Sequence, residues 1–246
     1  MDREQGAFTR ATGRPVGGEE GGADKPRYRR YQYDLIAPHC GSSVLEVGAG
    51  LGEFAAQFTD RERLVVTDVD LDAVAWLKAR FADVGGAEVL QFDLGAGARL
   101  EQPVDSVVAI NVLEHFEDDA GVLALLARSV VPGGTIVVWV PGYPSLYSEF
   151  DRKVGHVRRY TPAVLAAAIR RAGLRAEQVR PVNLLGGVAW WAAMRMGRAQ
   201  QPKTGAVGLY DRLVVPATRV VDRLSPIRFG QSVLAVIRVP DVGEQR

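Results

Sequence analysis

Closely spaced glycines followed by an aspartate suggest a binding site for a nucleotide-type cofactor. Gly48, Gly50 and Gly52 directly follow an apolar segment, and Asp68 ends a second one at residues 64–67. A ligand can lie against bare backbone only where no Cβ intrudes, and glycine also lets the chain turn sharply into the next helix. A carboxylate at the end of the following parallel strand can accept hydrogen bonds from ribose hydroxyls. These residues predict a cofactor site at the carboxyl end of a first parallel strand.

The glycine spacing argues against a nicotinamide dinucleotide as the ligand. The dinucleotide fingerprint places its third glycine at the position of Glu53, whereas this chain has its glycine one residue earlier, at Gly52. A second acid, Asp70, follows Asp68 closely. Because Asp70 lies in the loop and can cap a helix that begins near Leu71, Asp68 is the better ribose ligand.

Four segments in the same order resemble the motifs of the class I S-adenosylmethionine-dependent methyltransferases. These segments are residues 45–52, 89–93, 105–115 and 130–140. The resemblance covers roughly residues 28–182 and a last strand near the C-terminus. It implies a Rossmann-like, mostly parallel seven-stranded α/β sheet in the order 3-2-1-4-5-7-6, with helices on both faces. It also implies S-adenosylmethionine as the cofactor and S-adenosylhomocysteine as its product.

The resemblance further implies which residues contact the cofactor. Asp93 would face the adenine amino group while Phe92 packs on the ring, and the loop after the fourth strand would run under the methionine part. The implied cofactor residues are Glu46, Gly48, Ala49, Gly50, Gly52, Asp68, Val69, Phe92, Asp93, Asn111, Val112 and Tyr31.

The implied reaction is an in-line displacement in which an oxygen, nitrogen or carbon atom attacks the sulfonium methyl group. Alignment and desolvation can lower much of the barrier because the leaving group is already cationic. A protein base is needed only if the acceptor must lose a proton early. His115 and His156 are the candidates for that role, since histidine titrates near neutral pH, and Tyr160 is a further catalytic candidate. The alternatives are a structural turn for His115 and a buried, hydrogen-bonded loop anchor for His156.

The segment 142–160 is expected to form part of the acceptor pocket. Prolines and glycines exclude a long regular helix there, and long ordered loops at the carboxyl edge of a parallel sheet usually carry function. The residues expected to contact the acceptor are Tyr28, Tyr147, Arg158 and Arg159. The arginine pair could bind a carboxylate or phosphate on the acceptor. Alternatively, one arginine pairs with Asp151 or Glu149 and holds the loop, and Tyr28 and Tyr31 anchor their helix to the sheet.

The chain is expected to form one domain, residues 27–246, behind a flexible tail, residues 1–26, that is too polar to offset its ordering entropy. Residues 183–231 form an insertion before the last strand that is far longer than a hairpin needs. An apolar helix and a basic amphipathic helix are expected in it. Three roles stay open for this insertion: a lid over the acceptor pocket, a dimer surface, or an interfacial helix resting on a membrane.

The composition limits the classes of function. The 246 residues are 47% apolar and carry a formal net charge of +1, which gives no indication of a nucleic-acid partner. The single Cys40 cannot form an internal disulfide, no metal-ligand spacing is evident, and no metal is expected. No stretch reaches the roughly 18 apolar residues that a membrane span needs, although peripheral membrane contact stays open.

We therefore expect a cytoplasmic enzyme, monomeric or homodimeric, that methylates an O or N atom of a small molecule. A secondary metabolite and a lipid-linked sugar are the candidate acceptors. The rival hypothesis is a protein of the same fold that binds the cofactor without methyl transfer, either a cyclase-like enzyme or a regulatory module.

Overall fold

A computed structural model describes residues 25–195, 208–224 and 227–241. Its strands are β1 Ser43–Val47, β2 Arg63–Asp68, β3 Ala87–Gln91, β4 Val104–Ile110, β5 Val130–Pro141, β6 Arg175–Val182 and β7 Ser232–Arg238. They form one sheet in the order β3-β2-β1-β4-β5-β7-β6, which confirms the predicted order. Strands β1 to β5 pair in parallel, whereas β7 is antiparallel to both β5 and β6.

The central strands are apolar on both sides because helices cover both faces of the sheet. Val44 and Leu45 are neighbours in β1, so their side chains point to opposite faces, and both are fully buried. Val44 belongs to a core cluster that includes Phe58, and Leu45 belongs to a second cluster that includes Leu123.

Seven helices pack around this sheet within the described ranges. They are α1 Pro26–Ile36, α2 Leu71–Arg80, α3 Asp119–Ala127, α4 Glu149–Lys153, α5 Pro162–Arg171, α6 Leu184–Arg195 and α7 Val215–Leu224. The expected cap of α2 is confirmed, because the Asp70 carboxylate accepts the backbone N–H of Asp72 at 2.8 Å. The Thr161 hydroxyl likewise accepts the N–H of Val164 and caps α5.

The segment after the glycines differs from the expected helix. It forms a short 3-10 turn, Ala55–Phe58. Gly52 has a φ of +70°, which no residue of a right-handed helix adopts, so a helix can begin only beyond it.

The insertion between β6 and β7 packs against the first helix. The Asp211 carboxylate accepts the backbone N–H groups of Arg27 and Tyr28 at 3.2 and 2.8 Å. Arg219 forms an ion pair with Asp34 of α1. In the described part of the chain, no helix is both long and apolar enough to cross a membrane. The three roles considered for this insertion stay predictions. Residues 1–24 of the predicted tail lie outside the described residues.

Strands β1, β2 and β4 end together at one edge of the sheet. Val47 pairs with Thr67 on one side and with Ala109 on the other. The loops that follow these three strands therefore meet at their carboxyl ends, which is where open α/β sheets bind ligands.

Candidate functional site

The glycine loop after β1 is held in left-handed backbone conformations. The φ angles of Gly48, Gly50 and Gly52 are +68°, +55° and +70°. Residues with a Cβ rarely adopt such angles. A Cβ on Gly48 would also lie 2.9 Å from the Cγ2 of Val112, in the loop after β4. Glycine is therefore required at this position both for its backbone angle and for the close approach of a neighbouring loop.

Asp68, at the end of β2, is tied to the glycine loop. Its Oδ2 accepts the N–H of Gly50 at 2.8 Å, and its Oδ1 accepts the N–H of Asp70 at 3.0 Å. The N–H of Ala49 donates to the carbonyl of Thr67 at 2.8 Å and joins the same two segments. Burial raises the pKa of Asp68 above its usual value. Each carboxylate oxygen has a second lone pair, so the side chain can still accept ribose hydroxyls.

The residues predicted to surround adenine lie beside Asp68. The N–H of Phe92 donates to the carbonyl of Asp68 at 2.9 Å, which brings the end of β3 to the end of β2. Phe92 is buried, whereas the side chain of Val69 is exposed and free to cover a ligand ring. Asp93 is exposed, and its Oδ1 accepts the N–H of Gly95 at 2.8 Å.

Glu46 is a buried acid next to this loop. Its Oε2 is buried and has no hydrogen-bond partner within the described chain. Burial raises the pKa of Glu46 to about 8; the positive charge of Arg29 opposes this rise and the negative charge of Asp68 adds to it. An acceptor atom of this kind fits a donor supplied by a ligand. S-adenosylmethionine has a cationic amino group and a ribose, which match Glu46 and Asp68 respectively, so the residues present fit the cofactor that the sequence implies.

The loop after β4 lies beside the glycine loop, because Val112 approaches Gly48. Asn111 has a φ of +52°, and its N–H donates to the carbonyl of Trp139 at 2.8 Å. A 3-10 turn, Leu113–His115, follows. The N–H of Val157 donates to the carbonyl of Glu114 at 2.9 Å. This bond fastens the segment 142–160, the predicted acceptor loop, to the turn that carries His115.

A buried network around Asp151 organises the acceptor loop. The Oδ1 of Asp151 lies 2.9 Å from Nδ1 of His156 and 2.7 Å from Nε of Arg159. Its Oδ2 accepts from Nη2 of Arg159 and from the N–H of Ser148 at 3.0 and 2.8 Å. Burial opposes ionisation, but the hydrogen bonds from His156 and Arg159 outweigh it and lower the pKa of Asp151 to about 2. The Tyr147 hydroxyl donates to the carbonyl of His156 at 2.7 Å.

Both arginines proposed for the acceptor are engaged by carboxylates. Arg159 is buried and forms an ion pair with Asp151. This pair is the loop-holding alternative considered from the sequence. Arg158 donates to Oδ2 of Asp119 at 3.0 Å and to the carboxylate of Glu117 at 3.0 Å. These ion pairs favour a loop-holding role over the predicted contact with the acceptor, because neither guanidinium is presented alone to a ligand.

Tyr160 is enclosed between the loop 142–160 and the turn Leu113–His115. Its side chain is fully buried, and its hydroxyl lies 3.3 Å from Oδ2 of Asp119 and 3.4 Å from the carbonyl of Leu113. Burial raises the pKa of Tyr160. A phenol enclosed in this way favours a positioning role for Tyr160 over the predicted catalytic one.

The aromatic residues of α1 connect this helix to the insertion and the sheet. Tyr31 is buried; its hydroxyl donates to the Asp222 carboxylate and accepts the N–H of Asn183. The rings of Tyr28 and Tyr31 both pack edge-on against Trp139 of β5. Burial raises the pKa of both hydroxyls. These contacts correspond to the anchoring alternative, and contact of Tyr28 with an acceptor or of Tyr31 with the cofactor stays a prediction.

The structure adds Glu114 to the residues that the sequence singled out. His115 and His156 lie with ring centroids 4.9 Å apart, and Nε2 of His156 is 3.7 Å from Oε1 of Glu114. The sequence placed Glu114 in a turn without a role of its own. The sequence did contain a signal for Glu114, which directly precedes His115 in a chain with three histidines. The approach of His156 to Glu114, however, depends on tertiary structure.

Comparisons with known proteins agree with this geometry. Residues 45–136 match a family model described as a methyltransferase domain. A probable S-adenosylmethionine-dependent methyltransferase of Mycolicibacterium smegmatis is 31% identical over 173 residues, which are 66% of this chain and 64% of that protein. The chain thus spans less than two-thirds of the length of this relative.

Two solved structures share the fold at low sequence identity. The protein that binds the Trm112 methyltransferase activator in a Haloferax volcanii complex has a TM-score of 0.65 at 20% identity, covering 98% of this chain and 100% of that one. The N-methyltransferase NodS of Bradyrhizobium japonicum, solved with S-adenosylhomocysteine, has a TM-score of 0.56 at 16% identity, covering 89% and 90%. In its matched domain, its strand order and its glycine loop, the chain is similar to the class I S-adenosylmethionine-dependent methyltransferases, whose cofactor is S-adenosylmethionine.

Proposed function

We propose that this protein transfers a methyl group from S-adenosylmethionine to an oxygen or nitrogen atom of a small molecule. The observation that supports the proposal most directly is the meeting of Glu46, the glycine loop and Asp68 at the carboxyl ends of β1 and β2. Candidate acceptors are a secondary metabolite and a lipid-linked sugar. The cofactor, when bound, supplies an electrophilic methyl group on a sulfonium.

In this proposal the residues of the first two strands bind and orient the cofactor. Asp68 accepts the ribose hydroxyls, while the bare backbone of Gly48 and Gly50 admits the ligand. The exposed side chain of Val69 covers the adenine, and Glu46 accepts the cationic amino group of the cofactor. The hydrogen bonds that Asp68 already receives from the glycine loop fix its position before the ligand binds.

The acceptor end lies where the Leu113–His115 turn meets the loop 142–160. His156 is aligned by Asp151, so a proton taken by its ring would be held at Nε2. His115 is half-buried, and its Nδ1 lies 3.2 Å from the carbonyl of Gly155. Tyr147, Arg158 and Arg159 keep this loop in place through the contacts described above.

Calorimetric titration with S-adenosylmethionine, S-adenosylhomocysteine and NAD tests cofactor binding. We expect binding of the first two and none of NAD, with a large loss of affinity in Asp68→Ala. Asp70→Ala is the matched control, since this carboxylate caps α2 and should leave affinity nearly unchanged. Tight NAD binding without binding of the sulfur nucleotides would refute the proposal.

Formation of S-adenosylhomocysteine in the presence of an acceptor panel tests the transfer itself. Turnover with an O- or N-nucleophile would support the methyltransferase proposal. Cofactor binding without turnover across the panel would favour the rival hypothesis of a protein that uses the cofactor as a scaffold.

A further inference from the structure

The side chains of Glu114, His115 and His156 converge at the acceptor end of the site. One ligand atom from each, a carboxylate oxygen or a ring nitrogen, lies within 4.8 Å of the others. We propose that these three residues bind a divalent transition-metal ion. Bonds of about 2.0 to 2.2 Å to such an ion place its ligand atoms roughly 3 to 3.5 Å apart. The separation of 3.7 Å between His156 and Glu114 is therefore close to a bound geometry.

Both histidines are oriented in the way that metal-binding histidines usually are. Nδ1 of His156 lies 2.9 Å from a carboxylate oxygen of Asp151, and Nδ1 of His115 lies 3.2 Å from the carbonyl of Gly155. A histidine whose Nδ1–H donates to a carboxylate or a carbonyl presents the lone pair of Nε2 to a metal. Asp151 thereby becomes a positioning residue for the proposed site.

The supporting contacts make the cluster rigid and partly dry. Asp151 is fixed by Arg159 and Ser148, and Glu114 is linked through its backbone to Val157. The side chain of Glu114 is fully buried and that of His156 is 4% exposed. A carboxylate removed from water is stabilised by a coordinated cation, and a rigid supporting shell raises metal affinity.

Two imidazole nitrogens and one carboxylate define the type of ion. This donor set suits Zn²⁺ and its first-row neighbours, whereas Mg²⁺ and Ca²⁺ prefer sites made only of oxygen atoms. Three protein ligands leave coordination positions open, as in catalytic metal sites. The half-buried His115 lies on the accessible side, where a further ligand can approach.

The position of the cluster suggests what the ion would hold, if the proposed function is correct. Val112, next to the cluster, lies close to Gly48 of the glycine loop, since its Cγ2 would be 2.9 Å from a Cβ on that glycine. The ion would therefore lie between the cofactor site and the acceptor loop. It would bind a hydroxyl oxygen of the acceptor, lower its pKa and favour release of its proton to water. An acceptor with a second oxygen beside that hydroxyl, which can chelate the ion, fits the open positions best.

Zn²⁺ titration of the untagged full chain, first freed of metal by a chelator, tests the site. Calorimetry should give one Zn²⁺ per chain with a dissociation constant in the micromolar range or tighter, and no comparable Mg²⁺ binding. His115→Ala and Glu114→Gln should weaken Zn²⁺ binding by at least about 10-fold, and Asp151→Asn by about 10- to 100-fold. The matched control is His39→Ala, which removes the remaining histidine of the chain and should change nothing.

Two further measurements keep the test decisive. Visible absorption of the Co²⁺-loaded wild type reports coordination by nitrogen ligands even if a buried variant fails to fold. Titration of Asp68→Ala with Zn²⁺ separates the two proposals, since this variant should lose cofactor binding and keep the metal. Absence of stoichiometric Zn²⁺ binding by the wild type would overturn the inference, as would affinity that His39→Ala removes and His115→Ala retains.

Discussion

Replacing Glu46 with glutamine should remove a pH-dependent loss of stability from this protein. The side chain is buried and one of its oxygens lacks a hydrogen-bond partner in the described chain, so the folded state favours its neutral form. Glutamine has nearly the same shape and stays neutral at every pH. The comparison of the two proteins therefore isolates the ionisation of this one group.

The magnitude follows from the pKa of about 8 in the folded protein and the ordinary value of 4.5. Between these pH values the folded state binds more protons than the unfolded state, so stability falls as pH rises. One proton changes the free energy of unfolding by about 1.4 kcal/mol per pH unit. Integration from pH 5 to pH 9 gives a loss of about 4 kcal/mol for the wild type relative to Glu46→Gln.

Urea unfolding of both proteins at pH 5, 7 and 9 measures this difference. The other titrating groups are the same in both chains and cancel in the comparison. We expect the free energies of unfolding to be closest at pH 5 and Glu46→Gln to gain steadily above that pH. A difference that is constant from pH 5 to pH 9 would show that Glu46 ionises normally in the folded state and would refute the reasoning.

Three further predictions concern single side chains. Asp151→Asn should cost about 3 to 5 kcal/mol at neutral pH, since it leaves the buried Arg159 without its counter-ion. Urea titrations should show this difference shrinking as pH falls from about 4 toward 2, because the unfolded state binds a proton at Asp151 in this range, whereas the folded carboxylate, with a pKa of about 2, stays largely ionised. Gly48→Ala should destabilise the chain by about 1 to 3 kcal/mol through its positive φ. Adding Val112→Ala to that variant should recover only the part of this loss that comes from contact between the new Cβ and Val112, as thermal unfolding can measure. Burial raises the pKa of Cys40 to about 12, so its reaction with a disulfide reagent at pH 8 should be about 100-fold slower, or more, in the native protein than in urea. Equal rates would show that the thiol is not shielded in the folded protein.

The sheet was predictable because its signals are local. An apolar run such as that of β1 is typical of a parallel strand covered on both faces, and the glycines mark its carboxyl end. The position of Asp68 at the end of β2 and the capping position of Asp70 also follow from short-range spacing. The resemblance to a known family then supplied the strand order, which residue patterns alone leave open.

The contacts of the acceptor loop depended on tertiary structure and could not be derived in this way. Arg158 and Arg159 are sequence neighbours, yet their guanidinium groups pair with Asp119 and Asp151 respectively. Nothing in their spacing distinguishes such a pair from a free anion-binding site. The same limit applies to Glu114, whose approach to His156 requires the loop after β5 to fold back onto the loop after β4.

The hydrogen bond between Asp151 and His156 restricts what His156 can do at the acceptor end. With Nδ1 occupied, proton transfer or metal binding must use Nε2, which lies toward Glu114. A general base at this position would share its proton with a neighbouring carboxylate, whereas a metal ligand would bring that carboxylate to the same ion. The two roles differ in what Glu114→Gln changes. Loss of a proton partner shifts the pH dependence of turnover, whereas loss of a ligand weakens Zn²⁺ binding at every pH. The metal titration therefore also decides how the pH profile of this site should be interpreted.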